Sequence, residues 1–240
     1  MRRGCGLVPG LCLEVMMLPL TVCMLLAKRL FARDFDDMWP CNASRGQSYR
    51  EPVLFVHGYG GNESMWLAGR WFLRRRFDLF SVQVPDGAQC GMADELAVAV
   101  RDKVLAVLAA TGHARVWLVG HGLGGLVAAA VALQDPGMVK GVVTLASPWQ
   151  GVPLVTRVHA KREAETSPGS FFLTRLNAVP LPLPLLCVVA TCDICVPPDM
   201  ASPKWTSWQT VITRVCAGHA SVALVPHTWR AVQTFLLESR

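Results

Sequence analysis

Val116-Trp117-Leu118-Val119-Gly120-His121-Gly122-Leu123-Gly124-Gly125 passes from a bulky apolar run into small residues, and Leu126-Val127-Ala128-Ala129-Ala130-Val131-Ala132-Leu133 continues it. The first part has the length and β-branching of a fully buried strand, and the last has the composition of a helix. The glycines between them permit a sharp turn. A strand, a tight turn and a helix are therefore expected, and the same order recurs on both sides. Upstream, Pro52-Val53-Leu54-Phe55-Val56 is strand-like and ends in His57-Gly58-Tyr59-Gly60-Gly61, and Trp66 to Arg76 is helix-like. Phe80-Ser81-Val82-Gln83-Val84 is a second strand, and Ala93 to Ala110 places Leu96, Val100, Val104 and Val107 on one helical face. Downstream, Gly141 to Ala146, Leu185 to Ala190 and Thr210 to Val215 are further strands, and Pro226 to Leu237 is a closing helix. This alternation predicts a mostly parallel sheet with helices on both faces, in one domain from Glu51 to Arg240. Residues 150–184, with a polar patch at His159 to Ser167 and prolines at 168, 180, 182 and 184, break the alternation as an insertion.

Gly120-His121-Gly122-Leu123-Gly124 resembles the nucleophile elbow of the α/β-hydrolase superfamily, a G-x-S-x-G turn that exposes a serine above the strand ends. Both outer glycines fit, and Gly122 stands where the serine would be. The resemblance extends to His57-Gly58, similar to the loop of lipases that provides one oxyanion-hole N–H. By position that donor is Tyr59, with Leu123 as the second. Ser147-Pro148-Trp149-Gln150-Gly151 resembles the S/T-P-H-x-G stretch of lipases and deacylases, with Trp149 in place of histidine. Asp193 and His219 each follow a predicted strand, in the chain order of the family, so the resemblance implies a carboxylate that orients a general-base imidazole. It implies, further, a compact lipase- or esterase-like protein acting on or binding lipid or small acyl esters, and a lid within 150–184. The missing serine implies impaired catalysis. The alternative is an active ester hydrolase in which the His219/Asp193 dyad activates water. Ser147, Ser221 and Cys192 are conceivable nucleophiles, but none sits in an elbow.

The N-terminus is of another character. Cys5 to Ala27 holds a single charge, Glu14, between Arg2-Arg3 and Lys28-Arg29, and is long enough to cross a bilayer once. We expect a single-pass membrane anchor over residues 1–27, the alternative being an exported protein whose signal peptide is removed. Residues 28–50 are polar, without periodicity, and read as a linker.

The chain has 240 residues, a net charge of +6 and nine cysteines. The positive charge is spread along the chain rather than striped among aromatics, so no nucleic-acid partner is expected. Arg74-Arg75-Arg76 reads as a solvated helix end, where cations suit the helix dipole. Cys192 and Cys195 form a lone C-x-x-C without a second pair at zinc spacing, which reads as two buried cysteines beside a strand end. With no G-x-x-x-x-G-K present, no metal or cofactor is expected.

Overall fold

The computed structural model describes residues 50–58, 61, 63–82, 93–152, 165–205, 207 and 209–239. The expected anchor at 1–27, the linker at 28–49, Tyr59 and most of the first half of the expected lid lie outside these residues. Among the described residues, no helix is long and apolar enough to cross a membrane.

Among the described residues six strands form one sheet: β1 (Pro52–Val56), β2 (Asp78–Ser81), β3 (Val116–His121), β4 (Val139–Leu145), β5 (Leu185–Ala190) and β6 (Thr210–Val215). Their order is β2-β1-β3-β4-β5-β6, and every neighbouring pair is parallel. Parallel strands require crossovers, and among the described residues five helices accompany them: α1 (Leu67–Leu73), α2 (Ala93–Thr111), α3 (Leu123–Gln134), α4 (Phe171–Leu176) and α5 (Pro226–Glu238).

Alternation along the central strands divides the interior in two. Leu54, Val56, Leu118 and Val142 face a layer built from α2, α3 and α4. Val53, Phe55, Trp117, Val119 and Val143 face the opposite layer, built from α1 and α5. In that second layer Phe55 stacks on Trp66 at 4.9 Å, and Trp229 meets both rings edge-on. Helix α3 is apolar on all sides, and nine of its residues are buried, because neighbouring helices cover the surface that the sheet does not.

Two expected boundaries move. The helix expected from Trp66 to Arg76 is a short 3-10 turn, Glu63–Trp66, followed by α1, which ends at Leu73. The strand expected at Phe80 to Val84 is β2 at Asp78–Ser81. Tertiary pairing outweighs local hydrophobicity there, because Pro52 sits opposite Asp78 and Phe55 opposite Ser81. The earlier start is fixed by a buried polar cluster. Fully buried Arg70 donates through Nη1 to the Leu79 carbonyl and through Nη2 to Ser81 Oγ, which itself donates to Glu63 Oε1. Arg70 also lies over the Phe55 ring at 5.9 Å.

Candidate active site

The site is built where β3, β5 and β6 end, at the carboxyl edge of the sheet. Gly122 stands between β3 and α3 with φ 55° and ψ −125°, a conformation L-residues rarely adopt. Its N–H donates to the Leu145 carbonyl, and the Gly125 N–H returns to the Gly122 carbonyl at 3.2 Å, closing the turn. Gly124 is needed for close approach, since a Cβ there would lie 2.3 Å from the Val56 carbonyl oxygen. The elbow is thereby pressed against the end of β1, and a Cβ on Gly58 would sit 2.6 Å from the His121 carbonyl oxygen and 3.4 Å from the Leu123 nitrogen. Leu123 begins α3, where a backbone N–H has no intrahelical acceptor.

The loop after β6 brings His219 to this turn, and the loop after β5 brings Asp193. His219 Nδ1–H donates to Asp193 Oδ2 at 2.7 Å. The other carboxylate oxygen accepts two backbone N–H groups, from Cys195 and Val196, both at 2.7 Å. Three donors thus hold a carboxylate that is almost wholly buried. The two backbone anchors escaped the sequence reading, although an Asp followed within three residues by a turn into Pro197-Pro198 is the pattern that produces them. With Nδ1 committed to the carboxylate, Nε2 is the nitrogen that faces the elbow. Among the described residues beyond its chain neighbours, a Cβ built on Gly122 would meet only His219, 3.6 Å from Nε2 and 3.8 Å from Cε1.

His121, the first variable residue of the elbow, makes a contact that its place in a motif does not predict. Its Nε2–H donates to the His219 carbonyl at 2.9 Å, and the two rings lie 4.6 Å apart. Burial, with the neighbouring His219 imidazole next in importance, pushes the His121 pKa down to about 3. Its imidazole is therefore neutral at physiological pH. Because the folded value is depressed, the unfolded chain binds the extra proton first. The stabilisation is complete above about pH 6.5 and is lost as the pH falls toward 3. Denaturant titrations from pH 7 to 5 should show stability falling by up to about 1.4 kcal/mol per pH unit. In His121→Gln that part of the slope should vanish. His57, also buried, directs Nδ1 to the Gly58 carbonyl at 3.1 Å.

The other conceivable nucleophiles are placed elsewhere. Ser147 is fully buried, with its hydroxyl on the Leu145 carbonyl, and Ser221 is buried with Oγ accepting the Gly218 N–H. Cys192 is buried but Cys195 is exposed, which corrects the expectation that both are interior, since the turn that wraps Asp193 carries Cys195 outward. Cys187 is buried and its thiol is pushed up to about 12 by desolvation, which keeps it protonated. Cys216, beside the His219 loop, is disulfide-bonded.

Ala146, after β4, has φ 47°, a strained value that turns the chain into Ser147-Pro148-Trp149. Trp149 is fully buried, donates to Thr144 Oγ1 and meets Trp205 edge-on at 5.8 Å. Its carbonyl accepts from Asn177 Nδ2, which ties the end of α4 to this loop. A cavity of about 490 Å³ opens there, lined among others by Trp149, Leu173, Thr174, Asn177, Lys204 and Trp205.

Residues 53–237 match the model of the Alpha/beta hydrolase family. The chain belongs to that family. Within this α/β hydrolase, 143 residues are 28% identical to human (Lyso)-N-acylphosphatidylethanolamine lipase, covering 54% of this chain and 39% of that one. Against the pimeloyl-[acyl-carrier protein] methyl ester esterase of Citrobacter koseri, 113 residues are 34% identical, covering 47% and 41%. The matched part thus spans about two fifths of these relatives. Among solved structures, lipase B of Aspergillus fumigatus superimposes with a TM-score of 0.64 at 13% identity, over 80% of this chain and 53% of the other. A monoacylglycerol lipase of Paleococcus ferrophilus gives 0.59 at 15% identity, over 80% and 97%. The α/β hydrolase is therefore lipase- or esterase-like in sequence and fold, with glycine at its elbow.

Proposed function

We propose that this α/β hydrolase binds a lipid or small acyl ester at the carboxyl edge of its sheet, and that it lacks ordinary esterase activity because residue 122 has no nucleophile. The observation that carries the reading is the elbow itself: an otherwise complete turn with φ 55° at Gly122 and His219 Nε2 facing the space a serine side chain would fill. The ester class is supported by the lipase and esterase relatives, and the cavity beside Trp149 is of a size suited to an acyl group. On this reading Asp193 and His219 are inherited from an acyl-transfer triad, and Leu123 and Tyr59 are the oxyanion-hole donors. We include in the proposal the domain plan of an anchor at 1–27, a linker at 28–50 and the hydrolase domain from 51, with membrane attachment through the anchor.

A second reading is favoured by the intact dyad. His219, oriented by Asp193 at 2.7 Å, has the tautomer needed to take a proton from water placed above Gly122. Attack of that hydroxide on the ester carbonyl would expel the alcohol without a covalent acyl-enzyme. The experiment that separates the readings combines an activated p-nitrophenyl ester with a fluorophosphonate probe. Neither turnover nor labelling supports the binding protein, and turnover without labelling supports the water mechanism. Stoichiometric labelling with fast turnover would overturn both.

A further inference from the structure

The amino edge of the sheet, opposite the candidate site, concentrates exposed cations around an exposed indole. Helix α1 runs back from the carboxyl end of β1 to the start of β2, so Trp71 and Arg74-Arg75-Arg76 arrive beside the first residues of β1 and β2. Arg50 precedes β1, and its Nη1 donates to the Arg74 carbonyl at 3.0 Å. The Arg74 guanidinium lies over the Trp71 ring at 4.0 Å, while Trp71 stays 63% exposed. Arg75, Arg76 and, before β3, Arg115 are exposed.

Glu51 is engaged by Lys140 and by Trp117 Nε1, Asp78 is buried, and Asp135 pairs with Arg101 at 2.7 Å. Glu238, at the end of α5, is an exposed carboxylate. Among the described residues no carboxylate forms an ion pair with Arg74, Arg75 or Arg76. A solvated helix end explains arginines at 74–76. It does not explain an indole left in water with a guanidinium stacked on it and a further arginine brought in from outside the helix.

We propose that this edge is a docking surface for an anionic lipid bilayer. Guanidinium groups take lipid phosphates and carboxylates, and an indole beside them partitions into the headgroup layer. The chain enters the domain at Arg50, on this same edge, after the apolar stretch 5–27 and a polar stretch of some twenty residues. The surface would hold the carboxyl edge, with Gly122 and His219, facing away from the lipid. The inference concerns the opposite end of the molecule and stands independently of whether esters are cleaved.

The test uses the full chain in vesicles with brominated acyl chains, made of phosphatidylcholine with or without phosphatidylserine. The readout is the part of the tryptophan quenching that disappears in Trp71→Phe. Quenching of Trp71 is expected only with phosphatidylserine, and it should fade at high salt. Arg75→Gln/Arg76→Gln, two exposed positions, should lower the ratio of docked to undocked domain about 30-fold, from roughly 1 kcal/mol per arginine. Equal Trp71 quenching in both lipids, or none in either, would overturn the proposal. Hydrogen exchange over residues 67–77 supplies the second arm. Protection by inorganic phosphate or by a nucleic acid equal to that by the vesicles would assign the patch to another anion and overturn the lipid reading.

Discussion

Gly122→Ser should convert this protein into a measurable esterase on short or medium acyl substrates. The new Cβ would stand 3.6 Å from His219 Nε2 with no other described backbone within 4 Å beyond its chain neighbours, so its hydroxyl can reach the 2.6–3.2 Å or so at which an imidazole activates a nucleophile. The proton would pass from Oγ to Nε2, and the imidazolium would be stabilised by the Asp193 carboxylate already bonded to Nδ1. The gain should carry a cost. A side chain at φ 55°, ψ −125° destabilises by about 1–3 kcal/mol, so a lower melting temperature should accompany the activity. Adding His219→Ala should reduce the gained kcat by on the order of 10² to 10⁴ without a matching loss of stability. If Gly122→Ser folds and remains inert on a broad ester panel, the oxyanion loop or the acyl site has diverged along with the nucleophile. If the unmodified protein already turns over esters at ordinary enzymatic rates, glycine at 122 is not a loss at all.

The second large effect is expected at Arg70. Its two nitrogens bridge the Leu79 carbonyl and Ser81 Oγ in a fully buried setting, with Glu63 at the far side of Ser81. Removing one member of a buried charged cluster leaves the others unpaired, and Arg70→Met should destabilise by about 3–5 kcal/mol. For a chain of this size that corresponds to a melting point lower by roughly 6 to 20 °C. Arg70→Lys should rescue little, because an ammonium cannot span both acceptors as the planar fork does. Glu63 begins the turn that leaves the His57-Gly58 loop. Within Gly122→Ser, Arg70→Lys should therefore lower esterase activity more than its loss of folded protein accounts for. An Arg70→Met melting curve superimposable on that of the unmodified protein would show that the cluster contributes no net stability.

Much of this architecture could be read from the chain because its signals are local. Five-residue apolar runs, glycine-rich turns and a 3.6-residue periodicity over 93–110 are properties of adjacent residues, and they locate β1, α2, β3, β5 and β6 closely. The elbow was legible for the same reason, since its requirement for glycine at 122 and 124 arises from backbone angles and from one close approach. Asp193 and His219 were legible as candidates from their places after predicted strands.

Other features depend on partners far away in sequence, and nothing in the local pattern carries them. β2 begins at Asp78, in the register that brings the Leu79 carbonyl and Ser81 Oγ to Arg70, whereas hydropathy alone favours starting at Phe80. The Asp193–His219 bond spans 26 residues and the His121–His219 contact spans 98, so distance and tautomer follow from how β3, β5 and β6 are laid side by side. Cys195 faces solvent while Cys192 does not because a turn closes around a carboxylate. The arginine run at 74–76 reads as an ordinary helix end until folding brings Arg50 and Trp71 to it. Residue order thus specifies the elements and the turn, where covalent neighbours set backbone preference. Tertiary packing specifies which polar groups meet, because burial is what makes each of them require a partner.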